Sequence, residues 1–301
     1  MVAEDQALLE LLAELRGRDY NFIAVTPATH ARVLARPLHG KPTLRDIFGW
    51  NRSLTEDQIG PPLLALLQRS GSIERAGAQL RSLVRVASLG NHLFLHSSFP
   101  TTEANSVFFG PDTYRFVRFV HAQLSGLGSP AWIVDMGCGS GAGGISACRE
   151  VAARLTLVDI NPAAARLAGI NANFAGVSAE VTVDDQIPSG CDLVIANPPY
   201  MIDAVHRTYR DGGTMFGGEV ACTWVAQALD ALLPGGTMLL YSGFAMVDGR
   251  APAIDRIGSL CRKAKLHVEE LDPDVFGEEL ERPEYRDVER IAAFGVRITK
   301  H

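Results

Sequence analysis

The stretch Ile133-Val134-Asp135-Met136-Gly137-Cys138-Gly139-Ser140-Gly141 decides the fold of this chain. The apolar run 131–134 predicts a buried strand that ends at Asp135, and the helical pattern resumes over 142–152. Three glycines occupy the turn between them. Glycine suits a turn where the backbone bends sharply and approaches a ligand closely, because a Cβ would collide there. The stretch therefore predicts a ligand-binding strand–turn–helix unit.

The same rhythm continues on the carboxyl side of this unit. Apolar runs predict strands over 155–158, 179–183, 193–196 and 237–241, with helices over 162–174 and 219–233. Such alternation is typical of parallel strands with crossover helices on both faces. A last pair, 266–270 and 291–298, is joined by an acidic segment and predicts an antiparallel hairpin that closes the sheet. The predicted fold is a doubly wound, mostly parallel, seven-stranded α/β sheet.

Carboxylates follow three of the predicted strands, and they indicate the kind of ligand. Asp135 directly precedes the glycine turn, where a pyrophosphate would meet an unfavourable negative charge. Asp159 ends the next strand about twenty residues on, the position of an acid that binds ribose hydroxyls. Asp184 and Asp185 end the third strand, near the expected adenine. A nucleoside with a positive sulfonium and no phosphate suits this arrangement. The alternative is a dinucleotide-dependent dehydrogenase with a degenerate glycine fingerprint.

The fourth strand leads into Asn197-Pro198-Pro199-Tyr200. Ligands bind at the carboxyl ends of the strands in such a sheet, so we expect Asn197 beside the reactive end of the ligand. Its side-chain oxygen and the Pro198 carbonyl can accept the two hydrogens of a planar NH2 group and orient the nitrogen lone pair. Tyr200 can stack its ring on that group. The predicted catalytic residues are Asn197, Pro198 and Tyr200.

These two motifs resemble the class I S-adenosylmethionine-dependent methyltransferases, specifically over residues 131–243. The Asn-Pro-Pro-Tyr run is similar to that of the amino-group methyltransferases, which modify adenine, some guanines or glutamine side chains, among them enzymes of ribosomal RNA. The resemblance implies S-adenosylmethionine as cofactor and 2.1.1-type transferase activity. It also implies roles for site residues: the methionine end at Asp135, Gly137 and Gly139, the ribose at Asp159, and the adenine at Asp184 or Asp185. Gly141 and Asn197 are expected to bind the cofactor as well.

Two further segments resemble the release-factor glutamine methyltransferases. Residues 108–113 are similar to an Arg-Pro-Asp-Thr-Glu segment of that family, although Gly110 replaces the arginine and Tyr114 the glutamate. We interpret Asp112 or Thr113 as the cap of the helix that follows. Residues 209–213 are similar to a glycine-rich region of that family, and a flexible lid over the substrate is expected there.

The amino-terminal part has a different composition. Residues 1–120 carry 13 Lys/Arg and 11 Asp/Glu, whereas residues 121–301 carry 15 and 23. Helices followed by a ribbon of two strands, 79–87 and 92–96, are the element order of a winged helix. We therefore expect a recognition domain over residues 1–105 and a methyltransferase domain over 106–301. Arg75, Arg81 and Arg85 indicate either a solvated strand face or a modest basic ribbon, and residues 278–289 a solvated acidic loop.

Composition limits the class of protein. The 301 residues have a net charge of −6, which argues against a strongly basic nucleic-acid coat protein. No apolar run approaches the length of a membrane span, so no membrane partner is expected. The five cysteines form no Cys-x-x-Cys pair and predict reduced thiols in a cytoplasmic protein. The histidines lack metal-ligand spacing.

Three functions stay open at this point. The first is methylation of a planar nitrogen, with a protein glutamine or an RNA base as acceptor. The second is methylation of a small molecule in specialised metabolism. The third is a cofactor-binding partner protein without turnover.

Overall fold

The computed structural model of the protein describes residues 2–301. Its amino-terminal part consists of helices followed by two separate β-hairpins. The helices are α1 (Ala3–Gly17), α2 (Pro27–Leu34), a π-helical turn (Arg45–Gly49), α3 (Glu56–Ile59) and α4 (Pro61–Arg69). The hairpin strands are β1 (Ile73–Ala76), β2 (Gln79–Ser82), β3 (Val84–Leu89) and β4 (His92–Ser97).

The ribbon differs from the prediction in one respect. The single strand expected over 79–87 is wrong, because the chain leaves the ladder at Leu83, which is 40% exposed. Gln79–Ser82 pairs with β1, and Val84–Leu89 pairs with β4 in a different sheet. The Ser82 hydroxyl donates to the Val84 carbonyl at 2.6 Å, so a local side-chain bond stabilises the break.

The carboxyl-terminal part confirms the predicted seven-stranded α/β fold. The strand order is β10-β11-β9-β8-β5-β6-β7. Strands β5 to β9 are parallel, and β11 runs antiparallel to both β9 and β10. The strands are β5 (Trp132–Met136), β6 (Arg154–Asp159), β7 (Ala179–Val183), β8 (Cys191–Ala196), β9 (Leu232–Met246), β10 (Ala264–Asp272) and β11 (Arg290–Lys300).

Helices cover both faces of this sheet. They are α5 (Pro111–Leu124), α6 (Ala142–Glu150), α7 (Pro162–Ala175), the short α8 (Thr214–Gly217), α9 (Glu219–Ala231) and α10 (Pro252–Leu260). Alternation along β5 explains the two layers: Ile133 packs in the core under α5 and α6, whereas Val134 packs on the other face with Val225 of α9. The helix predicted over 219–233 is two residues shorter, because Leu232 begins β9.

The amino-terminal part packs directly on helix α7. Leu8 and Leu12 of α1 share a buried cluster with Leu167 and Ile170 of α7. Asn171 of the same helix joins strand β4, since its Oδ1 accepts from the Leu95 amide at 2.9 Å and its Nδ2 donates to the Leu95 carbonyl at 3.0 Å. The two parts therefore share a hydrophobic core and buried hydrogen bonds.

No helix within residues 2–301 is long and apolar enough to cross a membrane. In the same residues all five cysteines are free, and four of them are buried.

Candidate active site

A cavity of about 340 Å³ lies at the carboxyl ends of strands β5, β6 and β8. This position agrees with the rule for doubly wound sheets. Most of the predicted site residues meet in its wall: Gly137, Gly139, Asp159, Asp184, Asp185, Asn197, Pro198 and Tyr200. Asp135 and Gly141 do not line the cavity, and the Asp135 carboxylate instead contacts the Gly144 amide.

The glycine turn has the backbone conformation that its composition predicts. Gly137, Gly139 and Gly141 have φ values of +66°, +54° and +77°. A Cβ at Gly137 would lie 2.3 Å from Cη2 of Trp224, which also lines the cavity. At this position glycine is therefore needed both for its dihedral angle and for the close approach of an aromatic wall.

Two carboxylates accept hydrogen bonds from backbone amides in and around this turn. Asp135, which is 1% exposed, accepts from the Gly144 amide at 2.7 Å. Asp159 accepts from the Gly139 amide at 2.8 Å and from the Asn161 amide at 2.9 Å. Burial raises the pKa of Asp135 to about 7 and also raises the pKa of Asp159. Two amides at the start of this turn–helix unit, those of Gly139 and Gly144, are thus bonded to acids, and Asp135 supports the turn from behind.

The far end of the cavity suits a nucleoside. Asp184 and Asp185 are exposed at its rim, beyond the end of strand β7. Ile160 follows Asp159 and is 57% exposed within the cavity wall, an unusual position for a large apolar side chain. An apolar surface beside a row of carboxylates can cover a flat base while the acids accept from its hydroxyl and amino groups.

The acceptor end holds an unsatisfied oxygen. Oδ1 of Asn197 is buried and has no hydrogen-bond partner among residues 2–301. Such an atom carries a desolvation penalty unless a ligand donates to it. Pro198 and Tyr200 line the same wall, and Tyr200 is 8% exposed. The Asn-Pro-Pro-Tyr turn therefore places an unpartnered acceptor on a residue of the cavity wall.

Asp112 has a different role from the one expected. It is the second residue of α5 rather than its cap, and Thr113 accepts from the Gly110 amide at 3.3 Å. The Asp112 carboxylate accepts instead from the hydroxyl of Tyr200 and, at 3.0 Å, from that of Tyr241. Sequence reasoning missed this contact. Its only signal was the similarity of residues 108–113 to a segment of the glutamine methyltransferases.

The loop after Tyr200, residues 201–213, forms one side of the cavity mouth and is held at several points. On one side, Tyr209 donates to the Thr101 carbonyl at 2.6 Å and Thr208 to the Ala104 carbonyl at 3.0 Å. On the other, Arg210 contacts Glu279 at 2.5 Å. We call residues 201–213 the acceptor loop.

The acidic segment after strand β10 is exposed at most of its acids, as predicted, but it is not an irregular loop. It forms two 3₁₀ turns, Gly277–Glu281 and Pro283–Tyr285, in which Glu279 and Tyr285 are buried. Tyr285 accepts from the Ile202 amide at 2.8 Å, and Arg282 donates to the Ile202 carbonyl at 2.7 Å. The segment supports the acceptor loop from outside.

The basic ribbon is also wrong as a surface feature. Arg85 is 5% exposed and donates to the Ser97 carbonyl at 3.1 Å. Arg75 pairs with Glu56, and Arg81 with Glu74. Two of the three charges are thus neutralised and the third is buried.

The charged side chains of the cavity wall indicate which kind of ligand the cavity can bind. Its acids are Asp112, Asp159, Asp184, Asp185 and Asp211, whereas Arg210, already paired with Glu279, is its only Lys or Arg within residues 2–301. A negative wall favours a cationic ligand and disfavours a pyrophosphate. With the unsatisfied Asn197 oxygen and the apolar Ile160, these residues fit S-adenosylmethionine.

Comparison with known proteins supports this reading. Residues 122–243 match the family model of the methyltransferase small domain. The release factor glutamine methyltransferase of Moorella thermoacetica is 32% identical over 224 residues, which are 65% of this chain and 76% of that protein. The chain belongs to the family of the release factor glutamine methyltransferases.

A second member of the family is the enzyme of Deinococcus radiodurans. It is 27% identical over 244 residues, 74% of this chain and 84% of that protein. A putative transferase of Pyrococcus horikoshii has a related fold, with a TM-score of 0.50 and 13% identity over 92% of this chain and 100% of that one.

The protein is therefore a class I methyltransferase that uses S-adenosylmethionine. The dehydrogenase alternative is wrong, and so is the alternative of a partner protein without turnover. The acidic wall of this methyltransferase and its loop amides, bonded to carboxylates, give the physical reason against a dinucleotide.

Proposed function

We propose that this methyltransferase transfers a methyl group to the side-chain amide nitrogen of a glutamine in an acceptor protein. The observation that carries the proposal is the buried, unpartnered Oδ1 of Asn197 in the cavity wall. A primary amide offers two N–H donors. One would satisfy Asn197, and the other would bond to the Pro198 carbonyl.

The proposed chemistry depends on orienting a weak nucleophile. The lone pair of an amide nitrogen is delocalised, so the nitrogen attacks only when it is held in line with the methyl group. S-adenosylmethionine supplies that methyl group as an electrophile bound to a positive sulfur. As the nitrogen–carbon bond forms, the sulfur–carbon bond breaks, its electron pair stays on sulfur, and the nitrogen loses a proton to water. Asn197 and Pro198 orient the amide, and Tyr200 forms the wall against which the planar group lies.

We assign the remaining site residues by their positions. Asp159 would accept from the ribose hydroxyls, and Asp184 or Asp185 from the adenine amino group. Gly137 and Gly139 would let the backbone approach the methionine end. Asp135 and Gly141 would support the turn without touching the cofactor, because neither reaches the cavity.

The surface charge favours a protein over RNA as acceptor. RNA binding draws on a basic surface that neutralises phosphates. This chain has a net charge of −6, and its candidate basic ribbon is paired or buried. Three relatives that it matches over most of their length are named as glutamine methyltransferases, one of them as a putative one.

We also propose that residues 1–105 contribute to recognition of the acceptor. Thr101 and Ala104 contact the acceptor loop, so this part of the chain borders the cavity mouth.

A cytoplasmic location is proposed from the five free thiols, because cysteines in an oxidising compartment usually form disulfides.

The test is methyl transfer from labelled S-adenosylmethionine into an extract of cells that lack the gene. The extract is then separated into protein, RNA and small molecules, and purified peptide-chain release factor is assayed in parallel. We expect label in protein, released as methylamine on acid hydrolysis. Replacing the labelled glutamine of the acceptor by glutamate is the control and should abolish the signal. Label in RNA or in small molecules would contradict the proposal.

A further inference from the structure

A buried carboxylate lies next to Tyr200 in the cavity wall. Asp112 is 3% exposed, and its two oxygens are shared among three partners. Oδ2 accepts from the Tyr200 hydroxyl, while Oδ1 accepts from the Tyr241 hydroxyl at 3.0 Å and from Arg115 at 3.2 Å. A carboxylate taken out of water is retained only when such partners compensate it.

The three partners face different parts of the molecule. Tyr200 lines the cavity, whereas Tyr241 lies in the sheet and is fully buried. Arg115 reaches outward, and its other amino group contacts Asp272 at 2.9 Å. Asp112 therefore connects a cavity residue to a rigid strand on one side and to a surface ion pair on the other.

The ring of Tyr200 is also restrained by its surroundings. A Cβ at Gly243 of strand β9 would lie 2.3 Å from Cε2 of that ring, so the ring lies directly on the backbone. Phe276 packs edge-on against it, with ring centroids 6.0 Å apart. The Tyr200 ring is therefore restrained by three neighbours: the Gly243 backbone, the Phe276 ring and, through its hydroxyl, Asp112.

We infer that Asp112 is a positioning residue for methyl transfer, which fixes the Tyr200 ring through its hydroxyl so that the ring forms a rigid wall for the planar acceptor group. The inference rests on the proposed role of Tyr200. Both oxygens of Asp112 are occupied by protein donors, so it orients its neighbours and takes no proton from the acceptor. Burial raises the pKa of Tyr200, which keeps its hydroxyl protonated as the donor.

The first experiment measures methyl transfer to the release factor. Asp112→Ala is expected to lower kcat at least tenfold and to leave KM for S-adenosylmethionine within threefold. Asp112→Asn, which keeps the shape and one acceptor oxygen, should recover part of the loss. The matched control is Asp272→Asn, which removes an acid near Arg115 that touches neither tyrosine, and it should stay within twofold.

A double-mutant cycle separates positioning from a general structural effect. If Asp112 acts through the Tyr200 hydroxyl, Asp112→Ala should lower kcat less than threefold further in a Tyr200→Phe background. Independent tenfold losses in the two backgrounds would overturn the inference. So would an equal loss of cofactor affinity in Asp112→Ala.

The second experiment does not depend on the acceptor. With 3-fluorotyrosine at position 200, the ¹⁹F resonance of the protein reports the ring environment directly. We expect a shifted or broadened resonance in Asp112→Ala and an unchanged one in Asp272→Asn, with thermal unfolding as the folding control. An unchanged resonance in Asp112→Ala would overturn the inference even if methyl transfer is observed. A changed one would support it even if the acceptor is not a glutamine.

Discussion

At the scale of single residues, Asn197 and Asp159 lie on one cavity wall but should affect different steps. Asp159→Ala is expected to weaken S-adenosylmethionine binding at least tenfold, because it removes the predicted ribose acceptor and the bond to the Gly139 amide. Asn197→Ala should leave that affinity within threefold and lower turnover at least tenfold, a loss of about 1.4 kcal/mol, which is the scale of one hydrogen bond. Calorimetric binding and initial rates distinguish the two, and equal losses of binding would contradict this division.

A pair of glycine variants separates backbone strain from steric clash. Gly137→Ala and Gly139→Ala both place a side chain at positive φ, but only the first brings a Cβ to 2.3 Å from Trp224. A Cβ at Gly139 meets no atom within 4 Å. We expect Gly137→Ala to lose cofactor binding and unfold at lower urea, with Gly139→Ala affected less. Similar losses of cofactor binding and stability in both variants would mean that glycine is required at these positions for its positive φ alone.

The buried Asp135 predicts a specific pH dependence. Its pKa of about 7 in the folded state lies above the ordinary carboxyl value of 3.8, so the folded protein binds more protons than the unfolded chain between these values. This contribution to stability is present at low pH and is lost as pH rises to about 7. The free energy of unfolding of Asp135→Asn should therefore match wild type near pH 4 and exceed it by on the order of 1 kcal/mol or more at pH 8. A difference that stays constant with pH would contradict the assignment.

Sequence could identify those residues whose role is local. The glycine turn, Asp159 and Asn197 each follow a predicted strand, and strand ends in a parallel sheet meet at one edge. Asp112 could not be interpreted in this way, because its partners Tyr200 and Tyr241 lie 88 and 129 residues further along the chain. Whether Asp135 lines the cavity or supports the turn also depends on which way one side chain points.

At the scale of elements, the acceptor loop should depend on the segment 277–285. Glu279 bonds to Arg210 of the loop and to Arg282, which in turn holds the Ile202 carbonyl. We expect Glu279→Gln to speed amide hydrogen exchange in residues 201–213 and to raise KM for the acceptor protein. The exposed neighbour Glu278 supplies the control, since Glu278→Gln should change neither. Unchanged exchange in Glu279→Gln would argue that the loop is held from the Thr101 side alone.

Elements with strong periodicity were predictable, whereas short irregular ones were not. The central parallel strands β5, β6 and β8 are apolar runs because both of their faces are buried, whereas the edge strand β7 is largely exposed. The acidic segment has no regular periodicity, and Glu279 is buried there through ion pairs that the sequence does not reveal. The break at Leu83 follows from two hydrogen bonds, Leu83 to Ser72 and Ser82 to Val84, rather than from a turn residue.

At the scale of the whole molecule, the shared core predicts that the two parts unfold together. Asn171 is 1% exposed and makes three bonds, two to Leu95 and one to the Ser140 carbonyl at 2.9 Å. Asn171→Ala leaves these groups unpaired and should cost on the order of 3 kcal/mol. Asn173→Ala, two residues on and exposed, is the control and should cost less than 1 kcal/mol.

The measurement is urea unfolding followed by two probes, the fluorescence of Trp50 in the amino-terminal part and that of Trp132 in the sheet, each in a single-tryptophan background. Coincident transitions are expected in wild type and in both variants. Two separated transitions would instead support independent folding of residues 1–105 and 106–301. Charge and element order suggested that boundary in the sequence, but they carried no sign of the packing on α7.

The contacts of Thr101 and Ala104 with the acceptor loop limit how this protein can be re-engineered. A chimera joined at residue 105 would lose these contacts, because residues 98–104 would then come from the other methyltransferase. A chimera joined directly after strand β4, ahead of Ser98, keeps this native segment. The activity of such a chimera should therefore depend on the junction chosen, even when the transplanted amino-terminal part folds correctly.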